Sequence, residues 1–278
     1  EVHGAVSLVN AIATGNGAAV GIDTFVKTTL EVKEGSGIHI TSDNKTISSR
    51  LINKVIQNSV PKKQLEKIRL ELDFQSNIPT GYGLKSSSAI STAVSMACSK
   101  AFQRKFTDKK ILKIGVDSSI QTKVSLTGAY DDACACYYGG FIVTDNYKKK
   151  IIHSEKCLNH VSAVIFIPKS RKRGNVRKLR LSSSTFEQAW NLAKKSDYWN
   201  AMILNGLATS PILSSEPKII PKLIENGALG ASVSGNGPSI AAIVRNDSVS
   251  KIKRIFSSLD GSTTVSEINN KKAEVHEV

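Results

Sequence analysis

Alternating apolar and polar side chains mark the clearest element of the chain. In residues 67–74 (KIRLELDF), Ile68, Leu70, Leu72 and Phe74 share one face while Arg69, Glu71 and Asp73 share the other. That period of two predicts a half-buried strand. Residues 25–32 (FVKTTLEV) repeat the pattern with Val26, Thr28, Leu30 and Val32. Between them, Ile47, Leu51, Ile52, Val55 and Ile56 recur at helical spacing as far as Pro61, whose ring ends a helix. After Phe74 the stretch NIPTGYGLK leads to Ser86, Ser87 and Ser88, which open a helix striped with Ala89, Ile90, Ala93, Val94 and Ala97. Further helices are expected over residues 108–123, 131–138, 185–195, 199–207, 217–226 and 249–259. Strands are expected over residues 141–144, 161–167, 232–234 and 239–244. Strands and helices do not alternate strictly, which favours an α+β fold over a doubly wound sheet. The run DNYKKK interrupts the pattern and suggests a boundary near residues 145–160, dividing the chain into 1–155 and 156–278.

Composition narrows the class. With 278 residues, 40% of them hydrophobic and 22% charged, the chain can bury a sizeable core and is not disordered throughout. No apolar run approaches the ~20 residues that span a bilayer. The opening EVHGAVSLVNAIATGNG has no basic region followed by an apolar one, so no secretory signal is expected. Cys98, Cys134, Cys136 and Cys157 form no C-x-x-C and no zinc spacing, as expected of small buried side chains in a reducing cytoplasm. The formal charge of +15, from 38 Lys+Arg against 23 Asp+Glu, calls for an anionic partner. Nucleic acid, a membrane surface, a nucleotide or an acidic metabolite would each satisfy it. Aromatic residues are only 6%, and no RNA-recognition or helix-turn-helix signature is present.

Three glycine-bearing segments carry candidate chemistry. ATGNGAAVGID (residues 13–23) misses G-x-G-x-x-G because Val20 holds the last glycine position, so a packed turn is expected. PTGYGLKSSSA (residues 79–89) places Gly81 and Gly83 before a serine-capped helix, whose free N–H groups and dipole suit a phosphate. An ordinary capped helix explains it equally well, and no Walker A sequence occurs. GALGASVSGNGPS (residues 227–239) puts Gly235 and Gly237 between two short strands, where a hairpin turn suffices. Asp131 and Asp132 begin a small-residue helix, DACACYY, where acids commonly cap.

The segments gain meaning from occurring together and in order. PTGYGLKSSSA resembles the second motif of the GHMP kinases, P-x-G-x-G-L-G-S-S-A, at Pro79, Gly81, Gly83, Leu84, Ser86, Ser87 and Ala89. GALGASVSGNGPS is similar to their third motif, and the likeness spans nearly the whole chain. GLKSSS, SLVNAIATGNGAAVGID and TGAYDDACACYYGG resemble, more narrowly, the archaeal-type shikimate kinases. The resemblance implies a ribosomal-protein-like β-α half followed by a ferredoxin-like half. It also implies ATP- and magnesium-dependent phosphorylation of the 3-hydroxyl of shikimate. Homoserine or mevalonate kinase activity is the nearest alternative. A basic nucleic-acid-binding protein is a distant one, since RNA binding does not require ordered phosphate-loop motifs.

The same resemblance distributes roles. The segment containing Gly81, Gly83, Lys85, Ser86, Ser87 and Ser88 would wrap the triphosphate, with Ser87 as a magnesium ligand. Lys85 stands where most relatives have glycine and would neutralise phosphate charge or hold substrate. Gly235 and Gly237 would let the third-motif loop close on the nucleotide. Asp131 is the expected base on the substrate hydroxyl, whereas spacing from Gly139 and Gly140 selects Asp132 instead. Relatives often carry a magnesium-binding glutamate upstream; here SSIQTKVS offers Gln121 and no acid. A substrate carboxylate needs a cation, for which PKSRKRGNVRKLR offers Lys169, Arg171 or Arg173, although a solvated basic loop is the default. Asn10, Thr14, Asn16 and Asp23 are polar candidates near the substrate, with strand and turn stabilisation equally credible. Oligomeric state stays open.

Overall fold

The computed structural model describes residues 1–43, 47–157, 160–172, 174–214 and 216–277. The first part of the chain runs β1 (Val2–Val9), β2 (Asn16–Glu34), β3 (Gly37–Ser42), α1 (Ser49–Ser59), α2 (Lys62–Leu65) and β4 (Ile68–Ser76). It continues through α3 (Ser86–Ala101), α4 (Asp108–Gln121), α5 (Tyr130–Tyr138), β5 (Phe141–Asp145) and β6 (Lys150–Glu155). The second part runs β7 (Val161–Pro168), a 3₁₀ segment at Val176–Ser182, α6 (Ser183–Ala193), α7 (Tyr198–Leu213) and α8 (Ile219–Glu225). It ends with β8 (Ala228–Val233), β9 (Ile240–Arg245), α9 (Val249–Phe256) and β10 (Gly261–Glu267). The fold is α+β, as expected.

Strand β2 organises the first sheet, whose order is β3-β4-β2-β5-β6 with β1 also paired to β2. Its second half faces β4 antiparallel, with Leu30 opposite Leu72 and Val32 opposite Leu70. Its first half, expected to be a packed turn, is strand instead, paired with β1 through Val20–Val6 and with β5 through Ala18–Val143. Glycine is what permits this. A Cβ on Gly21 would come 2.9 Å from the Cα of Gly139, and one on Gly17 would collide with the Asp131 carboxylate. Glycine inside a strand marks such close backbone approach. The lysine-rich run after Asp145 is a hairpin turn into β6, which pairs antiparallel with β5.

Helices α3 and α5 lie on β1 and β2, with α1 and α4 packed against α3. The second sheet has the order β10-β7-β9-β8 and is covered by α7, α8 and α9. One apolar cluster joins Leu8, Val20, Leu72 and Val94 to Ala189 and Met202 of the second part. Phe141 stacks on Tyr198 with centroids 3.9 Å apart across that junction. A second cluster, including Val164, Phe186, Leu223 and Phe256, fills the four-stranded sheet. After β10 the chain returns to the first sheet, where Asn269 N–H donates to the Gly21 carbonyl (3.0 Å) and Ala273 N–H to that of Tyr137 (2.7 Å). The end of the basic run is not a solvated loop, because Val176–Ser182 buries Leu179 completely.

Candidate active site

The turn from β4 into α3 is built from left-handed residues. Gly81, Gly83 and Lys85 have φ of 83°, 84° and 67°. Glycine takes this conformation freely, whereas lysine is strained by it. The first intrahelical bond of α3 is Ala89 N–H to the Lys85 carbonyl (3.0 Å). The N–H groups of Ser86, Ser87 and Ser88 therefore have no acceptor inside the helix, at its electropositive end. These serines, with Gly81, Gly83 and Lys85, line a cleft of about 250 Å³. Leu84 does not; its side chain is 1% exposed and belongs to the core. Pro79 also lies outside the cleft lining and leads the loop in.

The β8–β9 turn docks onto this loop. The Ser234 hydroxyl donates to the Gly83 carbonyl (2.9 Å), and Ser239 N–H donates to that of Tyr82 (3.2 Å). A Cβ on Gly83 would collide with the Ser234 carbonyl. Gly235 and Asn236 reach the cleft, while Gly237 closes the turn through N–H to the Ser234 carbonyl (2.9 Å). Asn10 ties in the N-terminal segment. Its Nδ2 donates to the Gly235 carbonyl (2.7 Å), and its N–H donates to Asn205 Oδ1 (2.8 Å).

Asp131 and Asp132, adjacent on α5, have different surroundings. Asp131 is 3% exposed; its Oδ1 accepts from Asn146 Nδ2 (2.8 Å) and its N–H donates to Asn146 Oδ1 (3.1 Å). Burial pushes its carboxyl well above the usual carboxylate range; the Asp132 charge reinforces this and Lys85 opposes it. Asp132 faces Lys85 instead, with Oδ1 3.0 Å from Nζ. That oxygen makes the ion pair but no hydrogen bond, which leaves it acceptor capacity. Lys85 Nζ also donates to Ser7 Oγ (2.6 Å), and its side chain is only 3% exposed. Both carboxylates, Lys85 and Ser7 line the cleft.

The remaining sequence candidates separate. Asn10 lines the cleft, but Thr14 and Asn16 do not. The Thr14 hydroxyl accepts from Asn16 N–H (3.1 Å) and holds the turn before β2. Asp23 points away because it follows buried Ile22 on a strand; its side chain is 63% exposed and lies 3.6 Å from His3 Nδ1. Asp23 borders a larger groove of about 950 Å³ beneath the returning C-terminal segment. Size does not make that groove the active site, since its lysines interleave with glutamates and neither glycine loop reaches it. Lys169 is held at the end of β7, its N–H donating to the Asp260 carbonyl (3.1 Å), away from the cleft. Arg171 approaches the phosphate loop from outside, 5.2 Å from the Tyr82 ring centroid. Arg173 lies outside the described residues.

Ser7 lines the cleft, and Asn146 and Asn205 hold Asp131 and Asn10, which do; sequence reasoning missed all three. Each is a polar residue in or beside an apolar element, and all are at most 2% exposed. Such interruptions are the signal that could have found them, because a buried polar group needs a partner. No cluster of His, Cys, Asp or Glu able to hold a metal exists among the described residues. Gln121 turns outward, its Oε1 accepting from Asn58 (3.1 Å). The free acceptor of Asp132 and the half-buried Ser87 form a sparse oxygen donor set. It suits a hard cation that keeps waters and takes most ligands from phosphate.

Comparison with known proteins shows the family. The GHMP kinases N-terminal domain model matches residues 25–140, and the GHMP kinases C-terminal model matches residues 213–259. A shikimate kinase from Methanosarcina acetivorans is 37% identical over 284 residues, covering 97% of this chain and 93% of the relative. A shikimate kinase from Pyrococcus furiosus is 33% identical over 258 residues, covering 91% and 92%. The crystal structure of homoserine kinase from Cytophaga hutchinsonii superposes with a TM-score of 0.76 at 19% identity, covering 97% of this chain and 95% of that one. At that identity the likeness speaks to the fold alone. The chain belongs to the GHMP kinase family and, within it, to the group formed by the archaeal shikimate kinases.

Proposed function

We propose that this protein transfers the γ-phosphoryl group of ATP to the 3-hydroxyl of shikimate. Likeness to shikimate kinases over nearly the whole chain carries the acceptor, and the Lys85–Asp132 pair, set 3.0 Å apart at the opening of a helix whose first N–H groups are free, carries the chemistry. Phosphoryl transfer needs positioning and charge neutralisation more than covalent chemistry. The backbone N–H groups from Gly81 to Ser88 cradle the triphosphate. The Lys85 ammonium offsets charge on the transferring phosphoryl. Asp132 accepts the proton of the attacking hydroxyl as the new O–P bond forms and the bond to the β-phosphate oxygen breaks. Asp131, buried and held by Asn146, fixes the first turn of α5.

Magnesium bound with the triphosphate would supply further charge neutralisation, with Ser87 the group that would hold it while Asp132 takes the proton. Arg171, at the rim of the loop, is the candidate cation for an anionic ligand. The division at residues 155 and 156 then separates a part carrying the phosphate loop from one carrying the third glycine turn. No helix among the described residues is long and apolar enough to cross a membrane, and a cytoplasmic enzyme is the accompanying proposal. Coupled measurement of ADP release with shikimate, homoserine and mevalonate tests the reading. Turnover with shikimate alone is expected, and turnover confined to another alcohol would contradict it.

A further inference from the structure

Ser7 lies on β1 between Val6 and Leu8, both fully buried. The pairing of β1 with β2 slips between Ser7 and Val9, a bulge immediately after the serine. Bulges re-aim side chains beside functional sites. Here Ser7 N–H is directed at Ser234 Oγ (3.3 Å) in the third-motif turn. Its hydroxyl oxygen accepts from Lys85 Nζ (2.6 Å) and from Gly235 N–H (3.0 Å). A serine hydroxyl has two lone pairs to offer, so both are committed. One atom thus ties the cation of the second motif to the backbone of the third. The two are close neighbours, since a Cβ on Gly235 would stand 2.7 Å from Lys85 Nζ.

We propose that Ser7 is a positioning residue for phosphoryl transfer. It sets the direction of the Lys85 ammonium and makes that direction depend on the third-motif turn being docked. An ammonium has three donors. With one donor on Ser7 and the charge paired with Asp132, donor capacity is left over for a ligand in the cleft that Lys85 lines. Ser7 acts through Lys85 and contributes little to ground-state binding. The inference rests on the phosphotransfer reading above.

The test is steady-state kinetics of Ser7→Ala, Ser7→Cys, Lys85→Met and the Ser7→Ala/Lys85→Met double variant. Each is read on whichever alcohol supports ADP release by the unmodified protein. Cysteine keeps the volume but accepts hydrogen bonds poorly, so it carries the test if the alanine variant does not fold. The expected result is a fall in kcat of about 10- to 100-fold for both single Ser7 variants, the scale of a misplaced catalytic group. KM for ATP and for the alcohol should stay within about threefold, since the loss falls on the transition state. Adding Ser7→Ala to Lys85→Met should cost nothing more, because the pair is coupled. A loss of equal factor in both backgrounds, or a folded Ser7→Cys protein with unchanged kcat, overturns the proposal. Absence of shikimate turnover in the unmodified protein would overturn the substrate reading and leave the Ser7 test intact.

Discussion

The Lys85 ammonium stands 3.0 Å from Oδ1 of Asp132, the lysine from the turn into α3 and the aspartate from the first turn of α5. Their side chains are 3% and 15% exposed, so each charge has given up most of its water for the other. Such a pair need not add net stability, because desolvation offsets much of the attraction. Under the proposed function, its chemical value lies in placing a cation and a base together beside the phosphates.

Replacing either member should therefore damage catalysis before binding. For Asp132→Asn, kcat should fall by about 10²–10⁴-fold, the usual contribution of a general base. Nucleotide binding, followed with a fluorescent ADP analogue, should persist because the loop backbone is untouched. Lys85→Met leaves Asp132 without its counter-charge, and breaking a buried pair from one side costs about 3–5 kcal/mol. Its melting temperature should drop along with kcat. An Asp132→Asn enzyme with unchanged kcat would remove Asp132 from the reaction.

Asp131 should behave differently. Its folded pKa is raised, chiefly by burial. Between the unfolded carboxylate value of about 4 and that higher value, the folded chain binds more protons than the unfolded one. The contribution of this group to stability is complete below the unfolded pKa and declines as pH rises through the window. Asp131→Asn cannot ionise and escapes the decline. Its stability relative to the unmodified protein should improve with pH in urea unfolding, then level off above the folded pKa. Its kcat should exceed that of Asp132→Asn. A stability difference independent of pH would show that the carboxyl is not raised.

Gly83→Ala tests the docking of the two glycine loops. The residue sits at φ 84° with the Ser234 carbonyl where a Cβ would be. Left-handed backbone costs a non-glycine residue about 1–3 kcal/mol, and relieving the collision must separate the loops. Both stability and kcat/KM for ATP should fall. Retention of wild-type kcat/KM would mean that the contact is not needed for turnover.

The loop proposed to hold phosphate stood out in the sequence because its signals are local. Paired glycines, three serines and a small-residue helix are written in one short stretch, from Gly81 to Ala97, although the N-cap is Lys85 rather than a serine and no side chain caps the helix. Strands β3, β6 and β10 escaped notice because they are short edge strands, whose identity depends on the neighbour they pair with. The first half of β2 read as a turn because Gly17 and Gly21 are there to admit Asp131 and the Gly139 backbone, partners distant in sequence. Ser7 and Asn205 join segments far apart in the chain, so no spacing rule reveals them. The choice between Asp131 and Asp132 was ambiguous by one residue along the chain; side-chain direction separates their surroundings. Ion pairs such as Lys149 with Asp117 and Lys272 with Asp108 leave the excess of 15 positive charges as it was, since each uses one acid for one base.

The returning C-terminal segment should matter for stability. Asn269 and Ala273 bond to the backbone of Gly21 on β2 and of Gly140 and Tyr137 at the end of α5, the helix that carries both aspartates. Each such bond contributes about 1 kcal/mol net. Deleting residues 269–278 should lower the melting temperature by several degrees, since about 1 kcal/mol corresponds to 2–4 °C at this size. Proteolysis near Tyr138 should accelerate. An unchanged melting temperature would mean that the segment is not a structural strap.

The central claim is tested most directly by the product itself. Shikimate incubated with ATP, magnesium and the protein should yield a single phosphate ester. Phosphorus–proton coupling in NMR should place that phosphate on the 3-hydroxyl, and Asp132→Asn should greatly reduce its formation. ADP release without any phosphorylated shikimate, or phosphate on a different hydroxyl, would contradict the account.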